Sequence, residues 1–404
     1  MKRSPILLVV VLAALGLSAP LFAQYKSEAA HAKTMTPEER EQLLHPDAAT
    51  AVPPPVWTYT ETASRDDNEY NGTAIGRSPW AKAKTTTTIP AVIVPLIVTV
   101  NGLTNDPTAV LTGSCAYPET FDNSTPVQLT VQSPVFTAIT GNWTMNGQNI
   151  GPGQYIDAFR RAEFWSLVQG SSYHTVLSPV TVAAAVTVPA AAIDATATTM
   201  QSPCLSADPS SPNDQIELGS SDTGKFTPWL EGTLIPQLRT AGTINSNELV
   251  YFLLYNVTFS DAYGFHSFVG GQGNQTYAIS FFNGSECCYP YVKTISHEVG
   301  EWLDDPYPSN TQNVVPLWTT LPDLDDGTNK GCANLWEVGD PSSSHLFPDV
   351  TMPNGVDYHP QELTFFSWFY GAASLGAGGQ FSNNNTFTSD AGKVCVPAPP
   401  KPPS

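Results

Sequence analysis

Basic residues are scarce in this chain. Lys and Arg number 17 against 36 Asp and Glu, a formal charge of −19. A surface of that sign repels phosphate backbones and anionic lipid headgroups, which argues against nucleic acid and membrane partners. Charged residues of either sign make up only 13% of the chain, while Thr, Ser, Asn, Gly and Pro are abundant. That is the texture of a secreted, strand- and loop-rich protein rather than a helical cytosolic one. No apolar run approaches the roughly 20 residues of a membrane-spanning helix. No CxxC spacing is present to offer a thiolate metal site, and no internal repeat is found.

The apolar run that is present, Ile6 to Leu17, follows Lys2 and Arg3 and precedes a cleavage point at Leu21-Phe22-Ala23. This is the layout of a bacterial-type secretory signal peptide. Residues 1–23 are therefore expected to be removed, and the product to be secreted or periplasmic. Loss of Lys2 and Arg3 leaves 15 basic against 36 acidic residues, a charge of −21. The six cysteines, Cys115, Cys204, Cys287, Cys288, Cys332 and Cys395, are an even number, which in an exported chain reads as disulfides. Their pairing is open, with the adjacent Cys287 and Cys288 expected to bridge outward to different partners.

Residues 24–84 read as an N-terminal arm or leader. It carries one short helix, with Thr36 as N-cap, Pro37 in the first turn and Glu39 three after the cap, broken by Pro53-Pro54-Pro55. A surface arm packed on the main domain and a removable propeptide both fit this stretch. Residues 85–395 read as one globular domain, in one or two lobes, and residues 396–404 as a disordered Pro-rich tail. Within the domain Ile89–Val100 is β-branched and apolar, with Pro90 and Pro95 indicating an edge or bulged strand. Further strands are expected at Val127–Val131, Val180–Val188, Leu249–Phe259 and Tyr277–Phe282. A helix is expected from Gln154 to Val168, where Ile156, Phe159, Phe164 and Trp165 form an apolar side.

Chemistry concentrates in Thr294-Ile295-Ser296-His297-Glu298-Val299-Gly300-Glu301-Trp302-Leu303-Asp304-Asp305-Pro306. Ser296 is a possible cap, Ile295, Val299, Trp302 and Leu303 recur at helical spacing, and Pro306 stops the run. On such a helix His297 and Glu301 project from one face, away from the apolar stripe. An imidazole and a carboxylate one turn apart can grip a divalent ion, with Glu298 beside them to act on water. The bland alternative is a capped surface helix whose polar face meets solvent. His266, in Tyr263-Gly264-Phe265-His266, is a candidate to line the cleft or stabilise an oxyanion, and His359 is comparable; a single His among aromatics is also a common structural residue. Asp323-Leu324-Asp325-Asp326-Gly327 misses the register of a calcium loop and reads as an Asp-rich turn.

His297-Glu298-x-x-Glu301 resembles the zincin metallopeptidase motif, with Glu in place of the second His. The longer Ser296-His297-Glu298-x-x-Glu301-x-x-x-Asp305-Pro306, with Glu337-Val338-Gly339-Asp340 downstream, resembles a set of secreted bacterial proteins. The matching motifs cover roughly residues 263 to 340. The resemblance implies a twisted, mostly antiparallel α+β fold with an active-site helix beneath the sheet and Tyr277–Phe282 as the edge strand beside the cleft, where an extended polypeptide substrate would pair. It implies Glu298 as general base, His297, Glu301 and Glu337 as zinc ligands, and Asp340 behind them accepting the other ring N–H of His297. Asp305 would brace the helix end. A His with two carboxylates is a harder ligand set than two His, so manganese or iron also suits it. Two other readings stand beside this one: a non-catalytic binding or cell-surface protein on a degenerate zincin scaffold, and a metal-free glycosidase using Glu298 with another carboxylate, for which neighbouring helix positions are poorly splayed.

Overall fold

A computed structural model describes residues 54–111, 124–200, 215–270, 275–283, 292–308, 314–319 and 332–389. The expected signal peptide, the Thr36 helix, the Asp323–Gly327 turn, the tail and Cys115, Cys204, Cys287, Cys288 and Cys395 lie outside the described residues.

Val56–Thr62 (β1) and Glu69–Ile75 (β2) form an antiparallel hairpin. Then come Thr86–Val100 (β3), Leu103–Asn105 (β4) and the helices Pro126–Gln132 (α1) and Tyr155–Glu163 (α2). His174–Val182 (β5), Val186–Thr187 (β6), Leu249–Tyr255 (β7), Gly264–Val269 (β8) and Gln275–Phe282 (β9) complete the main sheet, and Lys293–Asp304 (α3) follows. Both element types build the fold, in agreement with an α+β class.

The central sheet is ordered β8-β9-β7-β3-β4, with β5 and β6 also paired to β3. The β3–β5, β3–β6, β3–β7 and β7–β9 pairings are parallel, whereas β8 and β4 run antiparallel to their neighbours. The expectation of a mostly antiparallel sheet is thus corrected: this sheet is mixed and largely parallel. Parallel strands are covered on both faces and lose the polar alternation of a half-solvated sheet. Every residue of β7 is buried. Its side chains feed two layers in alternation. Leu249, Tyr251 and Leu253 join Ile89, Ala91 and Ile93 on one face, while Val250, Phe252 and Leu254 join Val92, Val94 and Leu96 on the other, as a period of two requires. Helices α2 and α3 roof the first layer through Phe159, Ile295, Val299 and Trp302, and the helical stretch Phe226–Thr240 covers the second through Phe226, Leu230 and Leu234.

Several expected elements change. β3 is an interior strand rather than an edge, but its register against β5 shifts between Ile89 and Ala91: Ser178 and Pro179 of β5 stand opposite Pro90, so the bulge lies in β5 at a point where Pro90 offers the ladder no N–H. Val127–Val131 is helical because Thr125 and Gln128 form a capping box around Pro126 in the first turn. The Gln154–Val168 helix breaks at Phe164, giving α2 and a short turn at Trp165–Val168. Asn256, at φ +49°, ends β7 before Val257–Phe259. Val180–Val188 divides between β5 and β6. Tyr277–Phe282 lies within β9, between β7 and β8, so the edge strand is β8. Part of the expected arm, from Val56 to Ile75, packs on the first core layer through Trp57, Tyr70 and Ala74. No helix among the described residues is long and apolar enough to cross a membrane.

Candidate metal centre

α3 starts at Lys293, so Ser296 lies inside it rather than capping it: its hydroxyl donates to the Lys293 carbonyl (2.8 Å) and accepts from Gln361 N–H (2.9 Å). The helix stops at Asp305, ahead of Pro306. Its apolar stripe enters the core, and the opposite face is enclosed too, with His297 1%, Glu298 2% and Glu301 0% exposed. This excludes a solvated polar face for the helix. Its far end is anchored by Arg160 of α2, which donates to the Leu303 carbonyl (2.7 Å) and meets Asp304 at 2.5 Å.

Three elements converge on Glu301. On α3, His297 Nε2 stands 3.1 Å from Glu301 Oε1. From β8, His266 Nδ1 stands 3.6 Å from Glu301 Oε2. From the segment after Trp336, Asp340 Oδ1 lies 3.7 Å from His297 Nε2, and Glu337 Oε2 lies 3.8 Å from His266 Nε2. Asp305 is also buried here. The donor atoms of His297, Glu301 and Asp340 fall within 4.8 Å of one another, as do those of His266, Glu298 and Glu301.

The hydrogen bonds behind the two imidazoles fix their tautomers. Gln361 donates its amide N–H to the Gly339 carbonyl (2.5 Å), so its Oε1, 3.1 Å from His297 Nδ1, accepts from that nitrogen. His266 Nε2 is 2.8 Å from the Asp305 carbonyl, which can only accept. Each ring therefore donates from its far nitrogen to a carbonyl oxygen and turns its other nitrogen toward Glu301, the pattern of metal-bound histidine. Gln361, which nothing in the sequence singles out, takes the place expected for Asp340. Asp340 sits on the ligand-facing side of the ring. Glu337 is not grouped with His297 and Glu301, and lies nearer His266. His359 pairs with Asp349 at 2.7 Å and is not part of either donor group.

The donor set fits a divalent cation. Two ligand atoms each about 2.1 Å from a tetrahedral ion stand about 3.4 Å apart, close to the 3.1–3.7 Å separations of His297, Glu301, Asp340 and His266. Both oxygens of Glu337, Oε2 of Glu301, Oδ2 of Asp340 and Oδ2 of Asp305 are buried without a hydrogen-bond partner. Leaving ionised oxygens so enclosed is costly unless a proton or a cation meets them. In the metal-free protein, burial alone would lower both imidazoles, but Glu337 and Glu301 around His266, and Glu301, Glu298 and Asp340 around His297, push each up to about 10. Burial raises Asp340 to about 7, Asp305 to about 6 and Glu337 well above the usual range. Burial opposes ionisation of Glu301 as well, yet His297 and His266 hold it below the ordinary carboxylate value.

Two glycines shape the walls. A Cβ at Gly339 would lie 2.4 Å from His297 Nδ1, and one at Gly264 would lie 2.4 Å from Glu298 Oε1 and 2.6 Å from the Ile279 carbonyl. Gly339→Ala is therefore expected to displace the His297 ring or its own backbone, costing roughly 1–3 kcal/mol as overpacking does. Calorimetry should show a melting temperature lower by several degrees; an unchanged transition would contradict this packing. No family model, curated protein or solved structure matches the chain.

Proposed function

We propose that this chain is an exported, metal-dependent hydrolase, most specifically a zinc metallopeptidase acting on extended polypeptide. The observation that carries the reading is the enclosure of His297, Glu301 and Asp340 around one point, with tautomer and rotamer set by Gln361 and Gly339. These three residues would hold the ion. Asp340 replaces the more distant Glu337 in the ligand set the sequence suggested. A divalent ion there supplies Lewis acidity toward a carbonyl and acidifies water. Glu298, adjacent to His297 and directed toward the Gly264 end of β8, accepts the proton of the attacking water and returns it to the leaving amine. His266 holds its N–H on the Asp305 carbonyl and so is committed to positioning rather than to donating to an oxyanion.

The enclosure favours a second reading, in which the ion is structural and the chain a binding or cell-surface protein. Structural ions occupy closed sites, whereas catalytic ones keep a position open. Residues Gly264 to Phe268 of the edge strand are buried, and Phe268 packs on Tyr307 with ring centroids 5.5 Å apart. Cleavage of a denatured protein by the purified chain separates the two. Catalysis predicts proteolysis that a chelator abolishes and zinc restores. A protein that binds zinc, gains stability from it and cleaves nothing is the structural case.

A further inference from the structure

We infer that the cluster is built for two divalent cations bridged by Glu301. The inference rests on the cluster being a metal centre, and extends it with a second site whose donors are His266 Nδ1, Glu301 Oε2 and Glu298. Three observations carry it. First, the two oxygens of Glu301 are divided: Oε1 faces His297 Nε2 and Oε2 faces His266 Nδ1, at 3.1 and 3.6 Å. A carboxylate that offers one oxygen to each of two neighbouring ions has this arrangement, and paired ions in hydrolytic sites stand about 3.5–4 Å apart.

Second, both imidazoles are prepared alike. His266 is held by the Asp305 carbonyl through Nε2, and His297 by Gln361 through Nδ1. A single ion at His297 would explain only one of these. Each ring so held turns its other nitrogen to a different oxygen of the same carboxylate, Glu301.

Third, five carboxylates, Glu298, Glu301, Asp305, Glu337 and Asp340, are buried around the two rings, and an ion at His297 groups only Glu301 and Asp340 among them. The nearby Arg160 is engaged by Asp304 and Glu163 instead. Glu337, with both oxygens lacking a hydrogen bond, adds a further donor on the His266 side. In the two-ion state Glu298 coordinates, so its proton-accepting role falls to the oxygen not used for binding.

Manganese alone, added to the chelator-treated whole protein, is the probe. Elemental analysis after gel filtration should find two ions per chain, and electron paramagnetic resonance a spin-coupled multiline signal. His266→Gln should reduce the count to one and leave an uncoupled six-line spectrum, with the first site kept. One ion per chain in the parent overturns the second site but leaves the proposed function standing. No ion overturns both. Two ions without spin coupling place the second elsewhere and overturn the bridge, as does a coupled pair that survives in His266→Gln.

Discussion

Glu298→Gln is expected to lose turnover by about 10² to 10⁴ while keeping the ion held by His297, Glu301 and Asp340. The substitution preserves size and polarity but removes the group that accepts the proton. Glu298 belongs to the donor group with His266 and Glu301, not to the one with His297 and Asp340, so the His297 site should stay loaded. Glu301→Ala is a different lesion. It removes the carboxylate that faces both imidazoles and accepts Gly339 N–H at 3.1 Å, and should lose metal together with activity. Metal content and cleavage of a denatured protein, measured on both variants, check the pair of outcomes. A Glu298→Gln protein as active as the parent would show that the proposed base is wrong even where the metal is real.

The second large effect is a reversal of pH dependence by metal. In the metal-free protein Asp305 and Asp340 hold protons up to about pH 6 and about 7, whereas in the unfolded chain they lose them near pH 4. A raised folded-state carboxyl contributes stability that is complete below the unfolded value and lost as pH rises through the folded one. Glu337 adds to this with the same sign. His266 and His297, pushed up to about 10, extend the loss above about pH 6.5. Glu301, held low, acts in the opposite sense, but only as pH falls below the ordinary carboxylate value.

The metal-free protein should therefore become less stable from pH 5 to pH 8, by about 1.4 kcal/mol per pH unit for each extra proton bound. A divalent ion takes the place of those protons. The zinc-induced rise in melting temperature should be small at pH 5 and grow toward pH 8. Calorimetric melts of chelated and zinc-saturated protein at pH 5, 6.5 and 8 give the comparison. Parallel pH profiles with and without zinc would mean that the ion does not enter the cluster.

What was legible in the sequence was what is local. His297 and Glu301 are one helical turn apart, and that spacing alone predicts that they share a face. The downstream Glu337 and Asp340 also come to the same buried place, as does His266. Their division of labour was not legible. Gln361 lies 64 residues from His297 and carries no periodic or motif signal, yet it occupies the position behind the ring that Asp340 was expected to fill. Gly339 and Gly264 matter through the space a missing Cβ leaves, which no spacing rule reveals. The sheet was misjudged for a related reason. An apolar run such as Leu249–Tyr255 records burial on both faces but not the direction of its neighbours, which depends on crossovers from β3 and into β9. Ser296 looked like a cap because a hydroxyl before a helix often is one. Here it ties the first turn of α3 to Gln361.

The central claim is that the buried cluster around Glu301 is a metal centre, and the metal content of the purified protein tests it most directly. Parent protein and His297→Ala are prepared from a zinc-replete culture, dialysed against metal-free buffer and compared by elemental analysis. The account predicts at least one tightly held divalent ion per parent chain and its loss from His297→Ala, with the variant still folded by circular dichroism. A parent that retains no stoichiometric metal, or a His297→Ala protein that retains as much as the parent, would contradict it.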